Sequence, residues 1–185
     1  MYQKNKINYI PLLTLGIIHL FFLWLIILPL TGRYALLGVI PMLGYKTLPI
    51  KFTKFNFLEL STSIISFGLG MCLTIWIIIK LETSTVFAAA LIGTLASFIP
   101  NNVFGLKPNT IQKITHGKLA IYAGTFAGMT GFQYFTNFSS IIYIAIIGGI
   151  IYNFLQNSFT GLGGKLGSIG FGATIIYISI KHFLS

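Results

Sequence analysis

Residues Ile10 to Leu30 form a run of mostly Leu, Ile and Phe with no Asp, Glu, Lys or Arg. At 1.5 Å per residue such a run covers the ~30 Å hydrocarbon core of a bilayer. Inside that core every backbone amide has to bond within its own helix. Further runs at 58–79, 86–99, 119–135, 139–155 and 166–183 repeat the pattern. They predict an all-α, polytopic transmembrane helical bundle of about six spans, a single integral membrane domain over 1–185. Residues 34–45 are apolar but short and carry Pro41 and Gly44, which suits a re-entrant or interfacial piece. With 55% hydrophobic and 8% charged residues, against about 25% charged in soluble domains, a separate soluble domain is excluded.

The few charges are one-sided. The net charge is +10, the acids are Glu59 and Glu82, and none occurs from Thr83 to Ser185. Loops at 31–57, 101–118 and 157–165 hold Arg33, Lys46, Lys51, Lys54, Lys107, Lys113, Lys118 and Lys165, whereas Lys4, Lys6, Lys80 and Lys181 fall opposite. The positive-inside rule puts 101–118 and 157–165 in the cytoplasm, whether or not 34–45 crosses. The side of the N-terminus turns on that segment. The expected location is a bacterial-type cytoplasmic (inner) membrane, multi-pass, with the lipid bilayer and its anionic headgroups as partners. The start of the chain has no small-residue cleavage site and reads as a retained span. Cys72 is single, so no disulfide framework exists.

The densest candidate site is Gly161 to Ala173, which brings six glycines and Lys165 to the start of the last span. A helix N-terminus already carries about half a positive charge, so a lysine there adds to an anion site. Lys118 stands similarly before Leu119, and Gly117-Lys118-Leu119 echoes Gly164-Lys165-Leu166. The expected ligand-binding set is Lys118, Lys165, Gly164, Gly167, Ser168 and Thr160, with backbone amides cradling a phosphate, carboxylate or halide. The competing reading has both lysines snorkelling to headgroups and the glycines serving close packing. Ser168-Ile169-Gly170-Phe171-Gly172 resembles the filter signature of potassium channels, which implies carbonyl ligands for a cation. The pattern departs from it at Ala173, where an acid is expected, and Lys165 upstream opposes a cation, so a glycine-packed helix start is the preferred account.

Other polar residues at membrane depth are His19, Glu59, Asn153 and Gln156. Intramembrane ionisable groups are functional candidates, and His19 with Glu59 is a candidate proton relay. Structural hydrogen bonding is the commoner use. Ala120, Gly124 and Gly128 recur at i, i+4, i+8 and predict a helix-contact face. The histidines are scattered, the cysteine is isolated and there is no aspartate, so no metal, cofactor, nucleic-acid or catalytic site is expected. The leading expectation is a small transporter or channel subunit for an anionic or neutral small solute, as a homo-oligomer or a partner in a membrane complex. The alternatives are a non-transporting scaffold that docks a protein or anionic lipid through its basic loops, and a membrane-disrupting effector.

Overall fold

The computed structural model describes residues 13, 16–18, 20, 57–100, 108–131, 135, 137–156, 158 and 164–184. Five helices follow in chain order: α1 (Phe57–Leu81), α2 (Thr85–Ser97), α3 (Pro108–Gly131), α4 (Phe138–Leu155) and α5 (Lys165–Leu184). All regular structure among the described residues is helical. The chain divides into two units. One comprises residues 1–54 and 154–162, where Leu13, residues 16–18 and Leu20 are helical and Gln156 and Ser158 are buried. The other comprises 55–153 and 163–185 and holds nearly all of α1 to α5. The expected sites His19 and Thr160, and the segment 34–45, lie outside the described residues.

Two of the six expected spans, Glu59–Leu81 and Phe138–Leu155, are long and apolar enough to cross a membrane. The other described helices fall short for identifiable reasons. α2 has 13 residues, a rise of about 20 Å. α3 begins at Pro108, well before the apolar run that starts at Leu119, and its first turns are polar. In α5 the apolar residues are diluted by Lys165, three glycines, Lys181 and His182.

The helix ends have local causes. Glu59 in the first turn of α1 and Lys80 in the last turn both complement the helix dipole. Glu82 then takes a left-handed φ of 49° and breaks the helix off. Ser84 caps α2, its hydroxyl accepting the Phe87 N–H at 3.2 Å. Pro108 suits the first position of α3, where its missing N–H costs nothing. Gly164, at φ +82°, turns the chain into α5, and its carbonyl accepts the Ser168 N–H at 2.9 Å.

Small residues hold the second unit together. α1 and α3 pack most extensively of any pair. A Cβ on Gly70 would strike the Ile121 carbonyl, one on Gly124 the Phe67 carbonyl, and one on Gly128 the Met71 carbonyl. Gly117 sits beside Ser66 and Gly128 beside Thr74, so the two helices run parallel. Against α4 the order reverses, with Ile64 at Gly149, Phe67 at Gly148 and Gly68 at Ala145. α5 joins through Gly170, which lies on the Ala123 carbonyl, and α2 through Gly93, covered by the Tyr122 ring. Ser140 and Tyr177 share a hydroxyl hydrogen bond of 2.6 Å between α4 and α5, and Tyr143 stacks on Tyr177.

The core is mainly apolar but shares its space with polar side chains, while many large apolar residues are exposed. Ser63, Thr74, Thr125 and Thr174 are buried, each bonding back to a carbonyl of its own helix. Ile65, Leu69, Leu73, Trp76 and Ile79 form an exposed stripe along α1, and Ile142, Tyr143, Ile146 and Ile150 another along α4. Contiguous exposed apolar stripes of this length mark surfaces that meet something other than water.

Candidate functional site

The packing directions bring the N-terminal ends of α1, α3 and α5 and the C-terminal ends of α2 and α4 to one end of this unit. That end is polar. Glu59 comes from the first turn of α1, His116 and Lys118 from α3, Tyr152 and Asn153 from the end of α4, and Lys165 and Ser168 from the start of α5. The Tyr152 hydroxyl donates to the His116 carbonyl at 3.0 Å and ties α4 to α3 at this level. Asn153, the next residue, is buried, and its Nδ2 has no hydrogen-bond acceptor.

His116 lies within electrostatic reach of Glu59 from α1 and Lys165 from α5. It and Lys165 both stand on the loop side of the apolar runs that begin at Leu119 and Leu166. Burial holds the His116 imidazole below the ordinary histidine range; the Glu59 carboxylate opposes that shift and the Lys165 ammonium adds to it. Burial likewise lowers the Lys165 ammonium to about 8. The carboxylate of α1 and the ammonium of α5 therefore both act on the partly buried imidazole of α3.

Lys118 lies apart from that cluster. It lines a groove of about 380 Å³ between α2, α3 and α5, with Gly93, Thr94, Ala96, Ser97, Leu119, Tyr122 and Leu166. The Ser97 hydroxyl donates to the Thr94 carbonyl at 2.7 Å, so its oxygen keeps its acceptor sites. The Tyr122 ring is fixed edge-on to Phe126, centroids 5.2 Å apart.

The residues expected to bind ligand thus separate. Lys165 acts on His116, and Lys118 lines the groove. Gly164 precedes α5 and owes its identity to its positive φ, with open space where a side chain would be. Gly167 lies against the Phe126 ring, its Cβ position 3.8 Å away. The two Gly-Lys-Leu copies differ in structure, since Gly117 is inside α3 whereas Gly164 is the turn before α5. Ser168 to Gly172 are helical, with Gly170 on the Ala123 carbonyl, so their carbonyls are not arrayed as an ion filter. Ala120, Gly124 and Gly128 all face the interior, and Gly124 and Gly128 meet α1 of the same chain, which leaves the stripe unavailable for contact between copies.

Glu59 is brought to His116 of α3. This pairing was missed because 101–118 reads as a polar loop. The signal was present in Pro108 as a helix start followed by breaker-free residues as far as His116. No group of three His, Cys, Asp or Glu side chains gathers as a metal site among the described residues. Comparison with protein-family models, curated proteins and solved structures found no match.

Proposed function

We propose that the chain is a multi-pass protein of a bacterial-type inner membrane, with about six spans, that admits an anionic or neutral small solute through its polar end. It works as a homo-oligomer or as a subunit of a membrane complex. The observation that carries this reading is Lys165, partly buried at the start of α5 and close enough to His116 of α3 for its charge to act on the imidazole. The exposed apolar stripes of α1 and α4 support a lipid setting, and the basic loops support a cytoplasmic position for this end.

In this reading an anion approaching from the loop side meets a lysine ammonium, the positive dipole end of α5 and the Ser168 hydroxyl. Glu59 supplies the counter-charge with which the entering anion competes. That competition keeps binding weak enough for release, as any permeation site requires. Tyr152 and the buried Asn153 supply neutral hydrogen-bonding groups beside the cluster.

The test is uptake into liposomes reconstituted with the purified protein, using labelled chloride, phosphate, acetate and glycerol in turn. At least one solute is expected to enter faster than in protein-free vesicles. Lys165→Ala is expected to slow that uptake roughly ten-fold, the cost of one lost charge contact. Vesicles that take up none of the four solutes any faster would defeat the transport reading.

A further inference from the structure

The groove at Lys118 does not belong to the charge cluster, and its chemistry differs. Among the described residues, Lys118 is its only charged lining residue, and no acid lines it. Thr94, Ser97, Leu119 and Tyr122 are all exposed, so the groove opens sideways from the helices as well as toward the polar end. Its polar members, Lys118, Ser97 and Thr94, share the wall with Leu119, Leu166 and Ala96, and its floor is Gly93 with the Tyr122 ring.

The groove has a structural origin. α2 is too short to match α1 and ends at Ser97, level with Lys118 and with Leu166 at the start of α5, while α3 continues past it. At about 380 Å³ the space falls in the range of organic-ligand sites and far exceeds what one halide or phosphate ion fills. A free ion would also leave the apolar wall unused. The occupant that uses both halves carries a negative head and a hydrocarbon tail.

We propose that this groove binds an anionic phospholipid, its phosphate taken by the Lys118 ammonium and its first acyl segment laid along Leu119, Leu166 and the Tyr122 ring. Lys118 stands at the boundary where the apolar run of α3 begins, the level at which a lysine meets headgroups. The Ser97 oxygen, whose hydrogen goes to the Thr94 carbonyl, offers an acceptor to a headgroup hydroxyl. The groove adds a lipid site that is independent of solute passage, because Lys165 and Glu59 take no part in it.

The experiment is native mass spectrometry of the protein in neutral detergent, titrated with phosphatidylglycerol, phosphatidylcholine or inorganic phosphate. Phosphatidylglycerol is expected to be retained in preference to phosphatidylcholine. Lys118→Gln is expected to weaken that retention roughly five-fold, the worth of one lysine at an anionic surface. Lys113→Gln, a change at an exposed lysine away from the groove, is expected to leave it unchanged. Thr94→Trp, which fills the mouth from an exposed position, is expected to reduce retention of both lipids. Equal retention of the two lipids, equal losses in the Lys118 and Lys113 variants, or displacement of lipid by millimolar phosphate would each overturn the assignment. Thermal unfolding of each variant checks that the helices remain packed.

Discussion

Lys165 shows how burial changes what one residue can do. By itself it is a lysine at a helix start, where the dipole opposes it. In the folded chain it is also partly desolvated, which lowers its ammonium to about 8. The sign of the consequence follows directly. Below that value the group is charged and attracts anions; above it the charge and the attraction are lost. Between pH 7 and 9 the charged fraction falls roughly ten-fold. Anion uptake into vesicles is expected to fall over the same window, and Lys165→Gln is expected to remove this pH dependence along with most of the uptake. Burial holds His116 below the ordinary histidine range, which favours its neutral form.

At the scale of elements, the glycines divide by what faces them. Gly124 lies on the Phe67 carbonyl, a backbone atom that cannot turn aside, whereas Gly167 has 3.8 Å of room to the Phe126 ring. Gly124→Ala is therefore expected to destabilise the protein by about 1–3 kcal/mol, the usual cost of overpacking. Gly167→Ala is expected to change stability by less than about 0.5 kcal/mol or to raise it slightly, since alanine is the better helix former. Unfolding midpoints in detergent micelles compare the two. The small-residue stripe Ala120, Gly124 and Gly128 was legible as a contact face from its spacing, but its partner was not. Nothing in the spacing says that the opposing ridge is Phe67 and Met71 of the same chain rather than a second copy.

For the molecule as a whole, the helices alternate in direction along the sequence, as short connections between spans require. Residues 82–84 join α1 to α2 at one end, and the Lys118 and Lys165 level forms the other. In inside-out and right-side-out vesicles of a Cys72→Ser background, Ser84→Cys and Lys113→Cys are expected to react with an impermeant maleimide from opposite faces. Lys113 is expected on the cytoplasmic face. Labelling of both from one face would contradict the alternating arrangement and, with it, the proposed span count.

The sequence by itself determined that the chain is helical and that its apolar runs, not its few charges, decide its surroundings. Length, periodicity and the absence of acids are properties of consecutive residues, and α1, α2, α4 and α5 appear within a few residues of where those runs lie. It also marked Lys118, Lys165 and Glu59 as residues with unusual surroundings. Only tertiary structure decided their company. His116 meets Glu59 because α1 and α3 run parallel and slide together on Gly70, Gly124 and Gly128. Lys118 lines a groove beside the end of α2 at Ser97, whereas Lys165 acts on His116. Pairing across helices depends on which backbones can approach most closely, and that is a property of facing surfaces, which no single run of residues contains.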